Sequence, residues 1–393
     1  MIGLTKLLCG TATVSDAIKF GRDSSQLPPN MLQFSSGEHP LVVWNMTNRC
    51  NLHCKHCYIN ANDYEYKDEL STEEATRLID DLVTIQSPVL LFSGGEPLLR
   101  EDILELGTYA SYKGLRPVIS SNGTLITLEI AQKIKDAGFQ YVGISLDGSR
   151  KTHDEFRGIQ GAFDSAICGI KNCLEAGLRT GIRFTITKYN YLDLPLIIEL
   201  LIKEKIPRFC MYHLVYAGRG RGLAKDDITL GQKRNVINFL INKTQELFNQ
   251  GIEVEILTTD NHADGVYLYQ LIKAKYPSRT EEVMQLLKMH GGCSAGKKFA
   301  NIDSQGNVHA CQFWGHKDLG NIRERKFSEI WRDRSNELIC ELRNIKSKIK
   351  GRCSKCNYLE VCGGCRIRAE VVYGDTWAED PACYLTDEEI SDK

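Results

Sequence analysis

Short runs of apolar and β-branched residues recur along the first half of the chain, at 41–46 (LVVWNM), 88–92 (PVLLF), 116–120 (RPVIS), 141–146 (YVGISL), 181–187 (GIRFTIT) and 208–214 (RFCMYHL). Each has the length of a buried strand and is too short for an ordinary helix. Between them apolar residues return every three or four positions, the period of a helix packed on one face. The stretch 72–85 shows how such a helix begins. Ser71 and Glu74 have the spacing of a capping box, in which both side chains satisfy backbone N–H groups of the first turn. Six alternations of strand and helix predict βαβ units and a parallel sheet, which right-handed crossovers curl toward a barrel. Six units fall short of the eight that close one. The expected fold class is therefore α/β, a partial (β/α)6 TIM-like barrel, with a lateral opening through which a large substrate could enter.

The pattern changes at both ends. Residues 1–39 have few periodic apolar positions and contain Pro28-Pro29 and Ser35-Ser36-Gly37, which predicts an N-terminal extension that packs on something else. Residues 40–225 hold the barrel, and 226–289 read mainly as helix, including 230–249, forming a bridge. Residues 290–393 are short in their periodic segments, punctuated by glycine and rich in cysteine. A region of that kind needs metal to hold its fold.

Composition excludes more than it identifies. At 393 residues, with 42% hydrophobic and 25% charged, the chain can bury sizeable cores. Its 49 basic and 50 acidic residues leave a net charge of −1, so nothing points to nucleic acid or an anionic membrane as partner. No apolar run approaches the ~18 residues of a membrane span, and a cytoplasmic enzyme is expected. The string Leu7-Leu8-Cys9-Gly10 looks like a lipidation box, but Lys6 stands where an apolar stretch is required, so lipidation is not expected.

Cysteine is the informative residue. The chain has 15, an odd number in a long chain without an export signal, which favours metal or redox chemistry over disulfides. Cys50, Cys54 and Cys57 follow the first predicted strand with the spacing C-x3-C-x2-C, at the end of the strand where parallel α/β folds carry their chemistry. Structural zinc wants four ligands, and only His53 or His56 is near to supply the fourth. A four-iron cubane held by three cysteines would keep one iron free.

The triplet resembles the signature of the radical S-adenosylmethionine (SAM) superfamily, in which that free iron chelates SAM. Further segments resemble the family in order. Gly94-Gly95-Glu96-Pro97 ends the second strand and by resemblance contacts the amino group of the methionine moiety. Asn122, Ser145 and Asp147, at the ends of the third and fourth strands, are assigned to the ribose region, and Arg157 to the cofactor carboxylate. The resemblance implies a 4Fe-4S cluster that gives an electron to SAM and cleaves it to methionine and a 5′-deoxyadenosyl radical. It also implies an external electron donor of the flavodoxin or ferredoxin type.

Eight of the 15 cysteines lie from Cys293 onward. Cys293, Cys311, Cys353, Cys356, Cys362, Cys365 and Cys383 resemble the auxiliary-cluster domain called SPASM, with Gly306 five residues before Cys311. The family's assignment carried over gives one cluster on Cys353, Cys356, Cys362 and Cys383 and another on Cys293, Cys311 and Cys365, hence one or two auxiliary iron–sulfur clusters. Two departures stand out. Only Gly363-Gly364 separates Cys362 from Cys365 where the family has three residues, and the second set has no fourth cysteine. An open iron, His290, His309 or substrate could complete it. Read alone, two C-x2-C pairs would equally suit zinc ribbons. The remaining Cys9, Cys168, Cys173, Cys210 and Cys340 are expected to be buried free thiols.

The strings Lys6-Leu7-Leu8-Cys9-Gly10-Thr11, Met211 to Gly222 and Thr258 to Gly265 resemble the tetrapyrrole-modifying branch, which includes enzymes of heme d1 formation and of siroheme-dependent heme biosynthesis. That resemblance implies radical removal of acetate side chains from didecarboxysiroheme, leaving iron-coproporphyrin. A polycarboxylate of this kind would want arginine forks, and Arg219 and Arg221 sit between glycines after the sixth strand. His213 or His262 could approach the macrocycle iron. The rival enzymes are one that trades propionates for oxo groups, a coproheme oxidative decarboxylase and a peptide maturase. The rival outside the enzymes is an iron–sulfur or zinc scaffold.

Overall fold

Every apolar run folds as the strand it predicts, and the sheet they form is larger than six strands. The computed structural model describes residues 1–10 and 35–391, so Thr11 and Pro28-Pro29 lie outside the described residues. The strands are β1 (Ile2–Gly3), β2 (Leu41–Asn45), β3 (Leu90–Ser93), β4 (Pro117–Ser121), β5 (Val142–Ser145), β6 (Thr180–Ile186), β7 (Arg208–His213), β8 (Glu255–Thr259), β9 (Phe299–Ile302), β10 (Asn307–His309) and β11 (Asp318–Asn321). They form one sheet in the order β1-β8-β7-β6-β5-β4-β3-β2-β9-β10-β11. From β2 to β8 each strand is parallel to the next. This is the partial barrel, with its strand C-termini all at one end.

Three features lie outside the sequence reading. β8 is a seventh parallel strand inside the segment 226–289 that the sequence presents as helical. β9, from the cysteine-rich segment, pairs in parallel with β2, so the sheet runs past residue 290 and continues antiparallel through β10 and β11. The N-terminal extension begins as an edge strand, β1 on β8, followed by the helix Leu4–Cys9, whose Leu4 and Leu7 are buried. What the extension packs on is thus the barrel itself.

The helices follow local rules. Helix Thr72–Thr84 starts with the expected box, Ser71 Oγ accepting from Glu74 N and Glu74 Oε2 accepting from Ser71 N. Helix Leu230–Asn249 has a second box on Thr229 and Gln232. The core lies between the sheet and these outer helices, with Trp44, Phe92, Ile119, Ile144 and Phe184 fully buried. Among the described residues no helix is long and apolar enough to cross a membrane.

Candidate active site

The loop carrying Cys50, Cys54 and Cys57 leaves the end of β2 and is bound to its surroundings by backbone hydrogen bonds on three sides. Gly95 N donates to Thr47 O and Glu96 N to Arg49 O, both at 2.8 Å; His53 N and Lys55 N donate to Arg157 O and Phe156 O; Arg219 N donates to Cys57 O at 2.8 Å. The approach of the turn after β3 is so close that glycine is required. A Cβ on Gly95 would lie 2.1 Å from Arg49 O, and one on Gly94, whose φ is +135°, would lie 2.4 Å from Thr47 O.

Each sulfur of the triplet has a donor. Leu52 N points to Cys50 Sγ (3.4 Å), Ala61 N to Cys57 Sγ (3.3 Å) and Arg157 Nη1 to Cys54 Sγ (3.4 Å). Burial pushes the Cys50 thiol up to about 12 and raises Cys54, whose rise Arg157 opposes. These cysteines therefore become thiolates by exchanging protons for metal, and the donors stabilise that state. Three such sulfurs at one cavity fit a cluster with an open iron.

The cavity has about 940 Å³ of space with its open mouth included. The three cysteines, Gly94, Gly95, Asn122, Ser145, Arg157, His213 and Arg219 all reach its wall. Several expected roles need correction. The Glu96 carboxylate is fully buried behind the wall, where it accepts from Ser121 Oγ, Asn122 N and Leu98 N, and burial pushes it up to about 7. Glu96 thus ties β3 to β4 and leaves Gly94 and Gly95 on the cavity wall, while Pro97 opens a single 3-10 turn. Asp147 is also buried behind the wall. It pairs with Arg157 and accepts from Thr185 N, so it orients Arg157 instead of facing a ribose. The Asn122 side chain is held by Asn51 and Thr124.

The arginines also rearrange. Arg219 donates to Cys54 O (2.9 Å) and Ala61 O (2.7 Å), which makes it a brace of the cysteine loop, and Arg221 is exposed. His262 stands outside the lining with its ring edge-on to His290. The residue the sequence reading missed is Arg183. It lies on β6 across the cavity, its guanidinium 4.9 Å over the Tyr212 ring, and no carboxylate among the described residues pairs with it. The signal was present: Arg183 and Thr185 alternate with buried Ile182, Phe184 and Ile186, so the polar face of β6 looks inward.

The far wall is made by Gln312 and Phe313, next to Cys311, with Tyr58 edge-on to Phe313 at 5.3 Å. Cys353, Cys356, Cys362 and Cys383 line a second cavity. Burial and then the charge of Cys293 drive Cys311 well up, and Cys365 adds to it, so these three form a neighbouring set. The sets interlock: Cys293 N donates to Cys362 O, and Gly363 and Gly364 both take positive φ, which turns the chain in the two residues available. Among the described residues no three cysteine, histidine or acidic side chains converge on a single-ion site. His309 is held in the β10 hairpin by Asp303 and Lys317 O, and His290 lies against Met1 and His262. Cys173 and Cys210 are buried as expected, but Cys168 and Cys340 are exposed.

Comparison with known proteins agrees with this geometry. Residues 44–201 match the radical SAM superfamily and residues 293–357 the SPASM iron–sulfur cluster-binding domain. The chain is 54% identical to Fe-coproporphyrin III synthase of Methanosarcina barkeri over 99% of both chains, and 40% identical to pre-heme d1 synthase of Dinoroseobacter shibae over 88% of this chain and 86% of that one. In fold it is similar to Streptococcus suis SuiB bound to S-adenosylmethionine, with a TM-score of 0.71 at 22% identity, covering 88% of this chain and 78% of that one. The chain belongs to the radical SAM superfamily, as a member with a C-terminal SPASM iron–sulfur domain.

Proposed function

We propose that the chain is an Fe-coproporphyrin III synthase that removes acetate side chains from didecarboxysiroheme in the cytoplasm, with electrons from a flavodoxin- or ferredoxin-type donor. The observation that carries this reading is the end-to-end 54% identity to a protein of that name. When bound, the cluster and SAM supply a 5′-deoxyadenosyl radical that abstracts hydrogen. The chain's own part is to place the substrate C–H and keep other hydrogen donors out.

The geometry supports that division. Cys50, Cys54 and Cys57 hold the first cluster against the Gly94-Gly95 backbone, and Ser145 and Arg157 complete the cofactor side of the wall. Arg183, free of any acidic partner, faces the same space and suits a substrate carboxylate. Leu214, Val215 and Phe313 make the adjoining wall apolar, which suits a macrocycle face. Cys311 stands just before Gln312 and Phe313 of the wall, so the auxiliary set it belongs to borders the space from which electrons would reach or leave a substrate radical.

Anaerobically reconstituted protein, given SAM, dithionite and didecarboxysiroheme, should form 5′-deoxyadenosine and a tetrapyrrole lighter by its acetate groups. Cleavage of SAM with didecarboxysiroheme left unchanged would sink this reading.

A further inference from the structure

His213, the last residue of β7, is only 1% exposed yet reaches the cavity wall. Its Nε2 lies 2.9 Å from Asp264 Oδ2. That carboxylate also accepts from Thr258 Oγ1 at Oδ2 (2.5 Å) and from Tyr384 O–H at Oδ1 (2.8 Å). With two hydroxyls already donating to it, Asp264 acts as acceptor, so His213 carries its proton on Nε2 and donates. Its Nδ1 is then an unprotonated lone pair, buried and without any hydrogen-bond partner. An unsatisfied buried acceptor costs stability unless something binds it.

A histidine whose far nitrogen donates to a carboxylate is the usual arrangement of a metal-ligating imidazole. Of the other histidines, His56 also lines the cavity, with Nδ1 unpartnered and Nε2 3.8 Å from Asp147 Oδ2, but it stands between Cys54 and Cys57 and belongs to their loop. Its ring is stacked flat on Phe156 with ring centres 4.4 Å apart, and His262 is outside the lining. Asp264 is held by β8 through Thr258 and by the SPASM segment through Tyr384, the residue after Cys383, so the ring orientation is fixed from both domains.

We propose that His213 Nδ1 is an axial ligand to the iron of the tetrapyrrole substrate, and that Asp264 is its positioning residue. The proposal rests on the tetrapyrrole reading above and adds what that reading lacks, the contact that distinguishes an iron macrocycle from a metal-free one.

The test uses cluster-loaded protein titrated with iron-coproporphyrin III and, separately, with metal-free coproporphyrin III. Wild type should bind the iron form more tightly, and its ferrous–nitric oxide adduct should show splitting from a nitrogen trans to the nitric oxide in electron paramagnetic resonance. His213→Ala should lose the splitting and the preference for the iron form while binding the metal-free macrocycle as wild type does. Added imidazole should restore the splitting. Asp264→Asn should weaken iron-macrocycle binding roughly 10–100-fold with a changed splitting. Because His213 is buried, His213→Gln provides a second variant, and thermal melting with iron content checks that each protein is folded and loaded. Retention of the splitting and the iron preference in folded His213→Ala or His213→Gln overturns the proposal. If wild type binds neither macrocycle, the substrate reading itself falls and the proposal with it; if it binds both equally, only the ligand assignment falls.

Discussion

The two cysteine regions use the same ligand on opposite kinds of support. The first loop is clamped by backbone hydrogen bonds from the turn after β3, from the helix Arg150–Arg157 and from the segment after β7, so its position is set by the sheet whether or not metal is bound. The second region holds Cys353 and Cys362 on the helices Gly351–Ser354 and Leu359–Cys362, each of four residues, with Cys356 in the turn between them. Helices shorter than ~12–15 residues are marginal in water without outside support. The first region is a site placed on a fold, and the second is a fold that depends on its site.

That contrast is broken or upheld most directly by exchanging cysteines. Alanine at Cys50, Cys54 and Cys57 together should abolish 5′-deoxyadenosine formation under dithionite, yet leave a brown auxiliary chromophore and a melting curve close to wild type. Alanine at Cys353, Cys356, Cys362 and Cys383 should instead expose the C-terminal segment to protease. Undiminished cleavage of SAM in the first variant, or a protease-resistant C-terminus in the second, would reverse the comparison.

One buried charge pair ties the second region to the barrel. Arg368 is fully buried and donates to Asp380 through Nε and Nη2. It also donates to Leu214 O and Asp260 O, just beyond β7 and β8. Burial would raise Asp380, but Arg368 holds it down at about 2. Removing one partner of such a pair strands the other, at a cost of ~3–5 kcal/mol. Arg368→Met should therefore destabilise the C-terminal segment by that order in denaturant titrations, and a loss below ~1 kcal/mol would show that the metal, not the pair, holds it.

Gly95 gives the matching test for the first region. Alanine there would drive Cβ into a backbone oxygen of the cysteine loop, and overpacking of this kind costs ~1–3 kcal/mol. Iron retained by the first site should fall while auxiliary iron is unchanged, as difference spectra can show. Arg183→Met should be milder for the fold but should weaken iron-coproporphyrin binding roughly ten- to hundred-fold, the worth of one desolvated charge-assisted hydrogen bond. Equal binding by the variant would return the carboxylate-recognition role to another residue.

How much of this was legible follows from how local each feature is. The six strands, the helix 230–249 and the Ser71 box are written in neighbouring residues, and they formed as read. β8 was hidden because five residues between two helices give too short a period to detect, and its pairing with β7 and β1 is a long-range fact. Arg219 was misjudged for the same reason. Its glycine neighbours were visible, but not that they let the chain turn back under the first loop, where a Cβ on Gly218 would lie 2.4 Å from Cys57 O. Asp147 looked like a strand-end polar group because its partner Arg157 returns only after a helix. The grouping of the cysteines was legible because their spacing is itself the signal.

The smallest expected effect concerns the seam between the two regions, where Arg323, beyond β11, reaches Glu74 at the start of helix Thr72–Thr84 with Nε at 2.7 Å and Nη2 at 3.1 Å. The Arg323 hydrogen bond is the main cause that lowers Glu74 from 4.5 to about 2, with the Ser71 cap assisting. A carboxylate depressed in the folded state stabilises above its unfolded pKa and loses that contribution as pH falls through its folded value. The contribution of Glu74 is thus complete above about pH 4.5 and vanishes toward 2. Both side chains are partly in water, Glu74 22% and Arg323 37% exposed, so solvent screening limits the pair and cap together to about 1 kcal/mol. Melting of wild type and Glu74→Gln should differ by about one degree, and the gap should stay constant from about pH 8 to 5 and narrow at high salt. A gap that closes already near neutral pH would mean that the seam is held by groups other than Glu74.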